Sequence, residues 1–220
     1  MVKRSYYMLI ASLPHLPAKF DVERAPITRT RLLERLRMLH DDDTKVFRQI
    51  RNFFVWDRQP LDRTDQEVIA RYDDLMTKVS NPLVRQVIAT RMDTRTIVTA
   101  VRRRRNGSPP PPGVGPWVDH IRRNWQHPTF ALEGRYPWIA ELDRHLDEGT
   151  VQAAQKLLFA AAYRTWSQMA ERYTFSFEAV ILYLARWEII DRWTSRDATA
   201  GRERFDNLIT ETLGDYANLY

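Results

Sequence analysis

The amino-acid sequence predicts an all-α protein of about eight or nine helices arranged as two helical lobes. Apolar residues recur three and four positions apart along most of the chain, the spacing that gathers them on one face of a helix. Start signals such as Asn81-Pro82 and stop signals such as Asn106-Gly107 bound these stretches. A single short run near the start, SYYMLIASL, fits a strand as well as a helix.

After that run, Pro14, Pro17 and Pro26 mark an irregular connection. Thr28 or Thr30 then caps a helix whose Leu32, Leu36 and Leu39 share a face and which ends near His40. Asp41, Asp42 and Asp43 follow. Three adjacent carboxylates invite a metal or acid/base reading, but Asp43 stands where an N-cap belongs, ahead of Val46, Phe47, Ile50 and Phe54. Acidic groups there suit the positive end of the helix dipole, and that reading is preferred. Thr64-Asp65-Gln66-Glu67 has the form of a capping box and opens a helix striped by Val68, Ile69, Tyr72, Leu75, Met76 and Val79.

Asn81-Pro82 starts the longest predicted helix, about 24 residues, whose apolar positions run from Leu83 to Val101 and end in Arg102, Arg103, Arg104 and Arg105. Ser108 to Gly113 cannot continue it, because four successive prolines lack the amide donor and favour an extended chain. The expected organisation is therefore a basic lobe over 1–105, a Pro-rich connection over 106–116 and a mildly acidic lobe over 117–220. Short aromatic-rich pieces, WVDHIRRNW and RYPWIAELDRHLDEG, open the second lobe. A segment of high helix propensity then runs from Thr150 to about Tyr173, followed by a heavily apolar helix capped by Thr174 or Ser176 and a last one from about Thr199 to Leu213.

Composition narrows the function. At 44% hydrophobic and 28% charged over 220 residues, the chain can bury a core. It has no cysteine, which excludes disulfides, thiolate metal sites and cysteine nucleophiles and fits a reducing compartment. Its five histidines form no HxxxH or HxH pair, so no zinc site is expected. No apolar run approaches the roughly 20 residues of a membrane span. MVKRSYYMLIASLP has the charge and apolar stretch of a signal peptide, but Pro14-His15-Leu16-Pro17 replaces a small-residue cleavage site, so it reads as a buried first element. GxSxG, HExxH and P-loop patterns are absent, and no catalytic residue, cofactor or metal is expected.

Charge is unevenly placed. Residues 1–108 hold 22 Lys and Arg against 13 Asp and Glu, a net of +9, and residues 109–220 hold 12 against 15, a net of −3. A basic half with an arginine run suits a nucleic acid. Yet Arg102 to Arg105 radiate around a helix rather than line one face, and they occupy its last turn, where cations complement the dipole. The end of a structural helix is the preferred reading, with an Arg-rich nucleic-acid-binding protein as the alternative.

Three segments carry a family resemblance: YYMLIASLP, NPLVRQVIATRMDTRTIVTAVRRRR, and YTFSFEAVILYLARWEIIDRW followed by GRERFDNLI. Together they resemble a bacterial family of uncharacterised proteins found alongside V-type ATPase subunits. That family is similar to a reduced form of the C-type subunit of V/A-type ATPases, known as the d-type subunit in eukaryotic enzymes. Within Met92 to Arg102, an Asp followed by an apolar pair and then arginine is similar to a helix of the C-type subunit, with Thr96 where those proteins usually carry Asn. The resemblance implies a non-enzymatic helical socket on the cytoplasmic face of the proteolipid ring, receiving the foot of the central shaft. Ring and shaft subunits would be its partners, and it would lie peripherally on the inner face of the plasma membrane. Arg91, Asp93, Arg95 and the run Arg102, Arg103, Arg104 and Arg105 become candidates for interface or intra-lobe polar contacts. The full-length C-type protein has three similar helical lobes and this chain has room for about two, so an accessory piece is the other form of the expectation.

Overall fold

A computed structural model describes residues 5–54, 65–113 and 115–195. Among them are nine helices and no strand, so the all-α expectation is met. In chain order these are α1 (Tyr7–Ala11), α2 (Arg29–Leu36), α3 (Asp41–Phe54), α4 (Asp65–Lys78), α5 (Pro82–Arg105), α6 (Trp117–Arg123), α7 (Ile139–Asp147), α8 (Val151–Ala170) and α9 (177–195). The Thr64 capping position and the helix expected over Thr199 to Leu213 lie outside the described residues.

The chain divides into two compact units, but not at the Pro-rich segment. One unit takes the described residues up to Arg37 together with 162–195, and the other takes 38–161. The expected division into 1–105 and 117–220 is thus replaced. The physical reason is local: α5 packs against both α6 and α7, so the chain on either side of the prolines shares one core. Gly113 lies so close to α5 that a Cβ there would stand 2.7 Å from Thr96 Cγ2.

The 38–161 unit is organised by α5. Asn81 Oδ1 accepts from the Val84 amide at 3.1 Å, and Pro82 follows at the first helical position, where its missing N–H is no loss. Leu83, Val84, Val87, Ile88, Met92, Ile97, Ala100 and Val101 are buried along it. The helix stops with Gly107 at φ +66, the Ser108 amide donating to the Arg103 carbonyl at 2.8 Å and the Gly107 amide to that of Arg104 at 3.0 Å. This is a Schellman arrangement, and it satisfies carbonyls that would otherwise be orphaned. Around the C-terminal half of α5 pack Ile121 of α6, Phe130 and Leu132 of the following turn, and Ile139 and Leu142 of α7.

Two elements differ from the sequence reading. Helix α3 starts at Asp41, so all three aspartates fill its first turn and the Thr44 amide already donates to the His40 carbonyl at 2.8 Å. Asp43 is therefore a buried first-turn residue rather than the N-cap. Helix α2 ends at Leu36, short of His40, with the Arg37 amide donating to the Glu34 carbonyl at 3.2 Å in a tightened last turn; Leu39 is buried nonetheless.

In the other unit, α9 is the apolar centre, with Phe177, Val180, Ile181, Tyr183, Trp187 and Ile190 buried. Ser176 Oγ accepts from the Ala179 amide at 3.4 Å, the cap that the sequence offered as one of two. Polar tips fasten the irregular N-terminal connection to this core. Tyr183 Oη donates to the Pro14 carbonyl at 3.0 Å, Tyr163 Oη to that of Pro17 at 2.5 Å, and Trp187 Nε1 to that of Ile27 at 2.9 Å. These are aromatic bodies in the core with their polar groups satisfied, as buried Tyr and Trp require. The ambiguous N-terminal run resolves as a short helix preceded by a single bridge between Ser5 and Ser176, where the Tyr6 amide donates to the Phe175 carbonyl at 2.7 Å.

Candidate functional site

Asp93 is the chemically unusual residue of α5. It is 8% exposed in the middle of a helix whose other buried residues are apolar, Thr96 aside. The Tyr136 hydroxyl donates to its Oδ2 at 3.4 Å, while Oδ1 is buried without a hydrogen-bond partner. Burial pushes the carboxyl up to about 6 from 3.8, against the opposing pull of Tyr136, Trp117 and the Arg135 charge. Its charge acts in turn on its neighbours: burial first, and Asp93 next, raise the phenols of both Tyr72 and Tyr136.

The turn ahead of α6 closes over this carboxyl. Gly115 has φ +99, and a Cβ there would stand 2.6 Å from Asp93 Oδ1. Glycine is required twice over, for the backbone conformation and for the close approach. Trp117 and Tyr136 meet edge to face with centroids 5.9 Å apart. The arrangement joins α5, the 113–117 turn and the Tyr136 segment through one carboxyl group. A proton on Oδ1 removes the buried charge and leaves the Tyr136 bond to Oδ2 in place. Arg91 and Arg95, the other sequence candidates on this helix, are half-buried and neither is free of partners.

The arginine run has been distributed by the fold. Arg103 Nε donates to the Pro109 carbonyl at 2.8 Å, holding the start of the Pro-rich turn. Arg104 donates to the carbonyls of His127 and Pro128 at 2.7 and 2.6 Å and to Asp143 Oδ2 at 3.1 Å, with its guanidinium 4.7 Å from the centre of the Phe130 ring. Arg105 pairs with Asp147 Oδ1 at 2.9 Å. Arg102 is exposed. Three of the four cations thus hold contacts within their own unit.

Arg104 covers a strained turn. Phe130 and Ala131 both have positive φ, 54° and 53°, a conformation that costs non-glycine residues about 1–2 kcal/mol each. Their surroundings impose it: Phe130 is fully buried and stacked on Trp125 at 5.5 Å, its carbonyl lies 3.0 Å from His120 Nε2, and the Ala131 amide donates to His127 Nδ1 at 3.0 Å. None of this was visible in the sequence, where the aromatic pieces between 117 and 149 gave only short helices.

On the other unit the structure exposes part of the first element, which the sequence reads as buried, beside a further exposed aromatic residue. Tyr7 and Met8 of α1 are 60% and 78% exposed, and Phe175 is 41% exposed with its ring 4.7 Å from that of Tyr7. Within the run SYYMLIASL the buried residues are Tyr6 and Leu9, three positions apart as one helical face requires. A one-sided burial of this kind was legible in principle, but a run that is apolar nearly throughout hides it.

No helix among the described residues is long and apolar enough to cross a membrane. Nor do they contain a group of three or more His, Asp or Glu residues placed to hold a metal ion, the Asp41–Asp43 cluster included. In comparison with known proteins, residues 57–213 match the family described as protein of unknown function, DUF2764. No curated protein and no solved structure matches the chain.

Proposed function

We propose that this chain, which belongs to the DUF2764 family, is a non-enzymatic interaction component of a bacterial V-type ATPase, acting as a C-type connector between rotor ring and central shaft or as an accessory piece of that assembly. The observation that carries the reading is the exposed cluster of Tyr7, Met8 and Phe175. Large apolar side chains grouped on a surface favour contact with another protein, and aromatic and Met residues are the types enriched at such contacts. The cluster also falls within two of the three segments, YYMLIASLP and YTFSFEAVILYLARWEIIDRW, that resemble the ATPase-associated family. In this reading the chain is held peripherally on the inner face of the plasma membrane through the complex.

The test is affinity purification of the tagged chain from its native membranes in mild detergent, with mass spectrometry of what survives a high-salt wash. Ring, shaft and head subunits in fixed ratio are expected, and the triple variant Tyr7→Ser, Met8→Ser, Phe175→Ser loses them while remaining folded. A complete, rotating enzyme purified with no trace of this chain would sink the proposal.

A further inference from the structure

A cleft beside the first turn of α2 contains two cations that the described residues leave uncompensated. Its volume is about 260 Å³ and it lies wholly within the unit formed by the N-terminal segment and 162–195. One wall is apolar, made by Pro14, Ala25, Pro26 and Ile27. The other is α2, which contributes Arg31 and Arg35. Four positions apart on a helix, these two arginines project from the same face, about 5–6 Å apart at Cβ. Both are exposed, and among the described residues neither guanidinium has an ion-pair partner.

Their neighbour Arg29 shows the contrast. It pairs with Asp191 Oδ2 at 2.5 Å and lies 5.7 Å from the centre of the Trp187 ring, so its charge is spent inside the unit. The hydroxyls of the cleft are also engaged. Ser12 Oγ donates to the Leu9 carbonyl at 2.7 Å, and Thr28 Oγ1 accepts from the Arg31 amide at 3.4 Å as the cap of α2. Among the described residues the lining of the cleft holds no carboxylate to meet these cations, next to an apolar wall.

We infer that this cleft docks an acidic peptide segment of a protein partner, with a Glu or Asp carboxylate across Arg31 and Arg35 and an adjacent apolar side chain against Pro14, Pro26 and Ile27. The guanidinium fork matches the two oxygens of a carboxylate, and charge-assisted pairs of this kind are the stronger class of hydrogen bond. The apolar wall decides between anions. A bare phosphate leaves it uncovered, whereas a peptide carries an apolar group beside its carboxylate, and the volume suits one or two side chains. The site concerns the chemistry of the partner segment and stands whether or not that partner belongs to an ATPase.

The experiment titrates the isotopically labelled full chain with a Glu-Leu-Glu-Leu peptide blocked at both ends, followed by amide NMR, with the Gln-Leu-Gln-Leu peptide as counterpart. Shifts confined to the amides around Ala25, Ile27, Thr28 and Arg31 are expected, with none from the glutamine peptide. Arg31→Ala with Arg35→Ala weakens binding about tenfold or more. Arg122→Ala with Arg123→Ala removes the same charge from α6 and leaves binding unchanged. Because Arg31 and Arg35 are exposed, the first variant keeps its spectrum away from the cleft. The inference is overturned if the peptide leaves the cleft amides unmoved, if both double variants weaken binding equally, or if inorganic phosphate shifts the same amides as strongly as the peptide. Failure of the membrane purification leaves each of these outcomes readable.

Discussion

Replacing Asp93 by Asn isolates the energetic consequence of a carboxyl buried at 8% exposure with one oxygen unpartnered. Below 3.8 the carboxyl is protonated in both the folded and the unfolded chain and contributes nothing to the pH dependence of stability. Between 3.8 and about 6 the unfolded chain ionises while the folded one holds its proton, so the unfolded state binds fewer protons and stability falls as pH rises. Above about 6 both are ionised and the loss is complete. At 1.36 kcal/mol for each pH unit between the two values, the total is about 3 kcal/mol. Asn cannot ionise, and its amide nitrogen beside Gly115 adds an unmatched donor whose cost is the same at every pH. The variant's stability relative to the parent should therefore climb by about 3 kcal/mol across this window, whatever its offset. Urea unfolding followed by tryptophan fluorescence at a series of pH values measures it. A difference that stays flat, or that shrinks as pH rises, would refute the reasoning.

Three further outcomes follow from the same unit. Arg104→Ala strips hydrogen bonds from two carbonyls and leaves Asp143, whose Oδ1 is already unpartnered, without its cation; we expect a loss of about 2–3 kcal/mol in urea, against less than about 0.5 kcal/mol for exposed Arg102→Ala. Gly115→Ala drives a Cβ to 2.6 Å from Asp93 Oδ1 at φ +99 and should cost about 1–3 kcal/mol, with a smaller cost when Asp93 is first cut back to Ala; a double-mutant cycle reads the difference. Ala131→Gly relieves a left-handed backbone at φ 53 and should raise the thermal midpoint, by up to about 1 kcal/mol in stability.

Local signals in the sequence were reliable where the cause was local. Asn81-Pro82 and Asn106-Gly107 bounded α5 because capping chemistry is set by adjacent residues, and the structure keeps both ends. What escaped the sequence depends on residues far apart. The Asp93 hydroxyl partner lies 43 positions away at Tyr136, and the Arg104 carboxylate partner 39 positions away at Asp143. The arginine run was placed correctly at a helix end, yet its work in holding the 127–131 turn could not be read from a row of identical residues. The division into units failed at the prolines for a related reason. A stretch that cannot be helical reads as a linker, but Gly113 and Gly115 let this one lie directly on α5. Of the candidate site, Asp93 was legible as a residue and its burial was not, since a lone carboxylate in a helix is ordinarily solvated.

The arrangement of the units has a consequence for synthesis. Residues 38–161 are continuous, so their core becomes available as soon as the ribosome has released them. The unit built on α9 has no such freedom. Its N-terminal connection meets Tyr163 across 146 positions and Tyr183 across 169, so a segment made well before its partners must wait for them to find its place. Closing so long a span is unfavourable for an open chain. Compaction of the intervening residues shortens the effective loop, so early folding of the contiguous unit favours closure of the discontinuous one. Until the end of α8 and then α9 emerge, the N-terminal connection lacks the Tyr163 and Tyr183 contacts that hold it, and that interval is when the nascent chain is most exposed to chaperones and to aggregation.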